Sequence, residues 1–289
     1  MPTVDAHVHL YPPEVAANPA AWAAAGGEAH WARLCTRRRK DGAPVQLFPS
    51  VDELLRDMDA AGIERAVLLG WYWEKPATCA AQNRFYAQCT RAHPDRLAAC
   101  AAVHPDDLGE MTRAANAGFC GVGELSPHSQ GFAADDARVG EMLRLAGELK
   151  LPVNLHVTDP ASRRYDGWVS TPLEDFTRWA REFPQTRFVL AHWGGGLAFD
   201  SASRALANVW FDTAASPLLY DATAWTRALA AVGPERLLFG SDYPLRLFPR
   251  DDQASGLSRF VTEARAKLPS EAQAAVMGGN AVSLFGAAC

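Results

Sequence analysis

Apolar runs alternate with segments of helical periodicity along most of the chain. In residues 4–11, apolar side chains alternate with Asp5, His7 and His9, the period of two that is typical of a strand whose faces see different surroundings. Seven further apolar runs, separated by helical segments, occupy residues 65–70, 97–103, 119–125, 152–156, 187–192, 209–213 and 236–242. Continuous apolar strands that alternate with helices predict a parallel sheet covered on both faces.

Eight such strands in a chain of 289 residues predict an α/β fold of the (β/α)8 TIM-barrel type. An open doubly wound sheet is the alternative, but that fold ordinarily carries a glycine-rich phosphate turn after its first strand. Here that position holds His7 and His9 instead. No linker rich in Pro, Ser or Gly divides the chain, so residues 1–289 are predicted to form a single domain.

Residues 12–50 are predicted to be a long loop insertion after the first strand. Loops of this length are usually functional or disordered, and Trp22 and Trp31 favour an ordered lid or pocket wall over a free linker. Ser50 and Glu53 then have the spacing of a capping box at the start of a helix. Gly62 is predicted to end that helix.

The composition narrows the class of partner. A formal net charge of -5 disfavours a general nucleic-acid-binding protein, and no apolar run approaches the roughly 20 residues of a membrane helix. The short basic run at 37–40 is expected to be a solvated loop, with binding of an acidic group as the alternative.

No signal peptide is expected before the first strand. Six cysteines have no Cys-x-x-Cys or secreted-framework spacing, which indicates reduced thiols in a soluble cytoplasmic protein: Cys35, Cys79, Cys89, Cys100, Cys120 and Cys289.

Candidate metal ligands lie at the carboxyl ends of the predicted strands. Residues two apart on a strand point the same way, so His7 and His9 present two imidazoles roughly 6.6 Å apart along the backbone, close enough to share one metal ion. In a barrel of this type the active site lies at the carboxyl ends of the strands. Four more polar residues fall at such ends: Glu124, His156, His192 and Asp242. The sequence therefore predicts a metal site at that end of the barrel.

Several motifs together resemble the amidohydrolase superfamily. They are Val-Asp-Ala-His-Val-His-Leu at 4–10, Asn-Leu-His-Val around His156, Leu-Ala-His-Trp-Gly-Gly around His192, Phe-Gly-Ser-Asp-Tyr-Pro around Asp242 and Gly-Asn-Ala-Val-Ser-Leu-Phe at 279–285. The chain is most similar to the amidohydrolase-related branch, which contains lactone and ester hydrolases and also non-oxidative decarboxylases such as aminocarboxymuconate semialdehyde decarboxylase. The resemblance runs from residue 4 to about residue 286.

The resemblance implies a divalent metal ion, with zinc expected, bound by His7, His9, His156 and Asp242. It implies that His192 either hydrogen-bonds the metal's water or binds a second ion. Glu124 would bridge two ions in two-metal relatives, and a buried structural glutamate is the alternative. We expect one tightly bound ion, with a second, weaker site left open.

These ligands predict an enzyme in which metal-activated water attacks an amide, ester or lactone carbonyl of a small, carboxylated molecule. Asp242 would accept the proton of that water and pass it to the leaving group, with His192 as its catalytic partner. The alternative is a metal-dependent non-oxidative decarboxylase of an aromatic or unsaturated acid. A non-enzymatic barrel that keeps its metal for stability is the third interpretation. The predicted partner is a small-molecule substrate, with neither nucleic acid nor membrane, and homo-oligomerisation is left open.

Residues beyond the strand ends are candidates for binding the substrate. Trp71, Tyr72 and Trp73 follow the second strand and can wall a pocket for a planar or apolar molecule, or simply pack the loops. Arg163 and Arg246 follow the fifth and eighth strands, where an arginine fork suits a substrate carboxylate. Solvated surface charge is the alternative for these arginines.

Overall fold

The computed structural model, which describes residues 1–251 and 254–286, contains an eight-stranded parallel barrel. The strands neighbour one another in chain order. They are β1 Val4–Val8, β2 Arg65–Leu69, β3 Leu97–Ala101, β4 Gly121–Leu125, β5 Val153–Leu155, β6 Phe188–Leu190, β7 Val209–Asp212 and β8 Leu237–Leu238. The amide of Ala6 donates to the carbonyl of Phe239 at 2.9 Å, and the amide of Asp242 donates to the carbonyl of His7 at 2.9 Å. These bonds join the end of the sheet to its beginning, so the predicted TIM-barrel fold is confirmed.

The observed strands are shorter than the predicted apolar runs, most of all at β8. The run at 236–242 gives only two residues of regular strand, and Asp242 at its end has φ 68, outside the extended conformation. The backbone after β8 nevertheless stays bonded to β1. The polar residues predicted at strand ends therefore lie partly on turns, which aim them over the mouth of the barrel.

Helices cover the outside of the barrel and bury one face each. In the helix Val51–Ala61, Leu54 and Met58 are completely buried. The predicted capping box is confirmed: Ser50 Oγ accepts from the Glu53 amide at 3.2 Å, and the Ser50 amide donates to Glu53 Oε2 at 2.8 Å. Gly62, with φ 67, ends this helix as predicted.

The remaining covering helices are Pro76–Ala92, Gly109–Asn116, Ala137–Glu148, Leu173–Glu182, Ser216–Leu219, Thr223–Val232, Leu257–Lys267, Ser270–Ala274 and Asn280–Phe285. Short 3-10 turns occur at Leu197–Phe199, Ser201–Ala205 and Pro234–Arg236. Within the described ranges, no helix combines the length and the apolar character needed to cross a membrane.

The end of the barrel at which the strands begin is closed by the last helix. Asn280 Nδ2 donates to the carbonyls of Pro234 and Leu237 at 2.7 Å each, and Arg187 Nη1 donates to the Leu284 carbonyl at 2.9 Å. Leu284 and Phe285 pack in one cluster with residues of β1, β2 and β3. Because this end is filled, the chemistry is confined to the opposite mouth.

The segment after β1 contains three short helices rather than the long loop predicted, at Pro13–Ala17, Pro19–Gly26 and Ala29–Cys35. Pro13 and Pro19 are each the first residue of a helix, where a missing N–H is harmless. Trp22 and Trp31 pack edge to face, with ring centroids 5.5 Å apart. These tryptophans make the segment an ordered wall beside the mouth of the barrel.

The cysteines within the described residues are free thiols, namely Cys35, Cys79, Cys89, Cys100 and Cys120. Cys289 lies outside the described residues. The cytoplasmic location stays a prediction.

The close approach of β2 to β3 gives a test of the fold. A Cβ added to Gly70 would lie 2.2 Å from the backbone nitrogen of Ala102, which cannot move without disturbing the sheet. We expect Gly70→Ala to lower the free energy of unfolding by about 1–3 kcal/mol, the usual effect of overpacking. Chemical denaturation monitored by circular dichroism measures this change.

Gly140 is the matched control, because it lies within a helix and a Cβ there would meet Phe183 at an ordinary 3.6 Å. Gly140→Ala should leave stability unchanged or raise it by about 0.5–1 kcal/mol. Equal stability of Gly70→Ala and the parent protein would contradict the described packing of β2 on β3.

Candidate metal centre

His7, in β1, and His9, directly after it, direct their Nε2 atoms at each other. His7 Nδ1 donates to Asp212 Oδ2 at 2.9 Å, and His9 Nδ1 donates to the Leu69 carbonyl at 3.1 Å. In neutral rings with Nδ1 protonated, both Nε2 atoms carry lone pairs, and these atoms lie only 3.1 Å apart. Two lone pairs at this separation repel, so either a proton or a metal cation must lie between them. The donor set therefore fits a metal ion, since neutral imidazole nitrogen is a preferred ligand of zinc and its neighbours.

Asp242 completes this first group. Its Oδ1 lies 3.7 Å from His7 Nε2 and 3.6 Å from His9 Nε2. All three side chains are at most 10% exposed, and their ligand atoms lie within 4.8 Å of one another. A carboxylate and two imidazoles arranged in this way can hold one divalent ion.

Glu124, His156 and His192 form a second group of ligand atoms. Glu124 Oε1 lies 2.9 Å from His156 Nδ1 and 3.4 Å from His192 Nε2, and its Oε2 lies 3.5 Å from His9 Nε2. The resemblance grouped His156 with the β1 histidines, whereas the structure places it beside Glu124. One carboxylate thus faces both groups, which is the arrangement that a bridge between two ions requires.

His192 is directed by a left-handed turn after β6. His192 and Trp193 each have φ 58, and Gly194 and Gly195 continue with φ 58 and φ 60. Non-glycine residues in this region are strained by about 1–3 kcal/mol each. Asp212 holds the turn, because its Oδ1 accepts from the amide of His192 at 3.1 Å and from that of Ala214 at 3.0 Å. The result is a His192 ring whose Nε2 faces Glu124.

The electrostatics of the site favour a bound cation. Burial favours the neutral form of His7, yet the carboxylates of Asp212 and Glu124 raise its pKa to about 10. Burial acts likewise on His192, and a hydrogen bond with Glu124 and the charge of Asp242 raise its pKa to about 9. Burial opposes the ionisation of Glu124, but His156 and His7 hold its pKa well below its usual range. In the absence of an ion, protons on the imidazoles offset the enclosed carboxylates, and a divalent cation can replace them.

Asp212 is a site residue that sequence reasoning missed. It is completely buried at the end of β7, and its Oδ2 accepts from both His7 Nδ1 and Asn154 Nδ2 at 2.9 Å. Its place at the carboxyl end of a strand was the available signal. It was missed because Asp212 makes no direct approach to the ligand atoms and acts through His7 and His192.

A cavity of about 700 Å³ opens over the two ligand groups. Trp71, Tyr72 and Arg163 line it, and their role in binding the substrate stays a prediction. Trp73 and Arg246 are not among its lining residues. Trp73 is 1% exposed and donates from Nε1 to Gln82 at 2.6 Å, and Arg246 is 2% exposed and donates from Nη1 to the Pro44 carbonyl at 3.2 Å. Both side chains are engaged in packing the loops at the mouth of the barrel.

Arg37 fits the alternative prediction for the basic run, the binding of an acidic group. It belongs to the basic run that was expected to be a solvated loop, but its side chain lines the cavity. Its guanidinium carbon lies 4.3 Å above the ring of Tyr165. Its buried Nε has no hydrogen-bond partner among residues 1–251 and 254–286. A guanidinium held in place without an acceptor is prepared to bind an anionic ligand.

Comparisons with known proteins agree with this fold. The family model described as amidohydrolase matches residues 4–287. A comparison with curated protein sequences finds no match.

Solved structures share the barrel at low identity. A 5-carboxyvanillate decarboxylase from Novosphingobium aromaticivorans, complexed with manganese and 4-hydroxy-3-methoxy-5-nitrobenzoic acid, is 16% identical, with TM-score 0.73 over 98% of this chain and 96% of that one. A 2,6-dihydroxybenzoate decarboxylase from Rhizobium is 19% identical, with TM-score 0.66 over 99% and 98%. A probable 2-pyrone-4,6-dicarboxylic acid hydrolase from Acinetobacter baumannii, with citric acid bound, is 15% identical, with TM-score 0.61 over 99% of both chains. Likeness at this level establishes the common fold.

The bond between His7 and Asp212 gives a test of the centre. Asp212→Asn keeps the size of the side chain but removes the charge that holds the proton on His7 Nδ1. We expect metal affinity to fall about 10–100-fold, the usual effect of losing such a supporting partner. Competition with a chromogenic chelator measures this change.

Asp95→Asn is the control, because Asp95 is exposed and far along the chain from the cluster. It should leave the affinity for the ion unchanged. An unaltered affinity in Asp212→Asn would separate Asp212 from the metal centre.

Proposed function

Because the chain belongs to the amidohydrolase family, we propose that it is a divalent-metal-dependent decarboxylase of an aromatic carboxylic acid. The comparisons contradict the hydrolase that the sequence predicted. Similar solved structures include decarboxylases of 5-carboxyvanillate and of dihydroxybenzoic acids, and also a probable 2-pyrone-4,6-dicarboxylic acid hydrolase. They support the decarboxylase that was the alternative prediction.

One observation carries this proposal: a buried metal-ligand cluster forms the floor of a cavity with aromatic and cationic walls. Trp71 and Tyr72 stack with ring centroids 4.4 Å apart and an interplanar angle of 24°. Tyr165 and Arg37 lie on the cavity lining as well. A flat substrate ring can pack against the aromatic side chains that line the cavity, and a guanidinium suits a carboxylate or phenolate oxygen.

We assign the ion to His7, His9 and Asp242, which would hold it together. A divalent cation, when bound, supplies positive charge that holds substrate oxygens and draws electrons from the ring. The similar structure with manganese makes that ion a candidate beside the predicted zinc. A second ion bridged by Glu124 remains the alternative arrangement.

The chain's own contribution to the reaction is a proton. Decarboxylation replaces a carbon–carbon bond by a carbon–hydrogen bond: a proton adds to the ring carbon, the bond to the carboxylate breaks, its electron pair returns to the ring, and carbon dioxide leaves. In the metal-free site, burial raises the pKa of Asp242 against the opposing charge of His7 and His192. Asp242 is the proposed donor. His192 Nδ1 donates to the Ala214 carbonyl at 3.1 Å and lies 3.8 Å from Asp242 Oδ2, so the role of His192 as catalytic partner stays a prediction.

Asp242→Asn tests the role of the acid. The amide cannot deliver a proton, so we expect kcat for release of carbon dioxide to fall at least about 100-fold. The assay is carbon dioxide release from 5-carboxyvanillate and 2,6-dihydroxybenzoate by manganese-loaded and zinc-loaded protein. Prior removal of divalent ions by a chelator should abolish turnover, and readdition should restore it.

Asp52→Asn, on an exposed turn of an outer helix, is the control and should keep full activity. Undiminished turnover in Asp242→Asn would remove this residue from the mechanism. Turnover of lactones or esters with no carbon dioxide from any aromatic acid would overturn the proposed function itself.

Arg37→Gln tests the binding of the acid. Loss of a charge-assisted hydrogen bond should raise KM for an aromatic diacid about 10–100-fold with a smaller change in kcat, because Arg37 contacts substrate but takes no part in proton transfer. Steady-state kinetics separate the two parameters.

Arg38→Gln is the matched control, because its exposed guanidinium bonds the Gly42 carbonyl at 2.8 Å. It should leave KM unchanged. Equal KM values in Arg37→Gln and Arg38→Gln would mean that the basic run is a solvated loop that does not bind the substrate.

A further inference from the structure

Tyr72 is a buried phenol whose hydroxyl is not used by the fold. The side chain is 2% exposed and lines the cavity. No residue in the described part of the chain forms a hydrogen bond with its hydroxyl. The hydroxyl is not among the buried side-chain atoms that lack a partner, so it opens onto the cavity, where a bound ligand can supply its acceptor.

Other buried tyrosines show what a purely structural phenol does in this protein. The hydroxyl of Tyr86 donates to the Leu69 carbonyl at 2.8 Å, and that of Tyr243 donates to Asp57 Oδ2 at 2.9 Å. Tyr220, which lines the same cavity, donates to Asp159. In each case the chain supplies the acceptor. For Tyr72 it supplies only ring contacts.

Those ring contacts fix Tyr72 beside the metal ligands. Its ring centroid lies 5.3 Å from that of His156 and 4.4 Å from that of Trp71. Trp71 in turn lies 5.1 Å from His9. The stacked pair therefore extends from one ligand group to the other, and the phenol is held in a single orientation without any bond from its hydroxyl.

We propose that the Tyr72 hydroxyl donates a hydrogen bond to an anionic ring oxygen of the substrate, such as a phenolate, and so sets the position of the ring over Asp242. This inference rests on the proposed function and narrows its substrate class to ring acids that also carry an acceptor oxygen. The proposal requires a hydrogen-bond donor that has no acceptor within the chain and that lies beside the metal ligands. Tyr72 meets both conditions.

The test uses Tyr72→Phe, which keeps the ring and its stacking but removes the donor. The probe is 4-hydroxy-3-methoxy-5-nitrobenzoic acid, whose nitrophenol absorbs visible light only when ionised. In manganese-loaded protein at one fixed pH, we expect the variant to bind the probe about 5–30-fold more weakly, the range of one lost hydrogen bond to a charged group. The bound probe should also show a smaller ionised fraction, because the phenolate has lost a donor. The value of kcat/KM for a hydroxylated aromatic acid should fall by a similar factor.

Tyr220→Phe is the matched control, since it removes a phenol hydroxyl from the same cavity whose acceptor is Asp159. It should change probe binding and spectrum less than twofold. Metal content and thermal unfolding of both variants are measured in parallel.

The outcomes are distinguishable. Parent protein that releases carbon dioxide, together with Tyr72→Phe that binds the probe with unchanged affinity and spectrum, overturns the inference and leaves the proposed function standing. Loss of metal or of fold in Tyr72→Phe also overturns it, because the hydroxyl would then have a structural role. Parent protein that neither binds the probe nor releases carbon dioxide refutes the inference and the function together.

Discussion

The hydrogen bond between His7 Nδ1 and Asp212 is the contact on which the site depends. It joins β1 to β7 inside the mouth of the barrel and leaves the Nε2 lone pair of His7 facing that of His9. The other oxygen of Asp212 holds the strained turn that carries His192. One buried carboxylate thus orients a member of each ligand group. A closed barrel is what brings these strands near enough for one side chain to do so.

The same geometry explains which parts of the site the sequence could predict. The strand ends that carry His7, His9 and Asp242 follow from apolar periodicity, because the carboxyl ends of parallel strands meet at one mouth. The distribution of ligands between two groups does not follow. It depends on the direction of side chains after each strand has ended, as for Asp242 with its φ of 68. Periodicity carries no information on such turns.

Three residues lie in surroundings that differ from the sequence-based expectation, and in each case tertiary packing sets those surroundings. Trp73 and Arg246 follow strand ends as site residues do, yet both are engaged with neighbouring loops. Arg37 stands in a basic run that suggests a solvated loop, but the helices after β1 bring it to the cavity. The hydrolase prediction erred likewise, since the ligands suit either reaction and only the cavity walls and the similar structures favour one of them.

The choice between reactions depends on what lies above Asp242. In hydrolysis, water attacks a carbonyl carbon at the ion, and the acid protonates the leaving group. In decarboxylation, the acid protonates a ring carbon instead. The ligands do not distinguish the two reactions, because both need the same charge and the same acid. The stack of Trp71 and Tyr72 does favour one of them, since it places aromatic rings beside His9 and His156. The proposed decarboxylation therefore depends on the aromatic walls of the cavity as well as on its ligands.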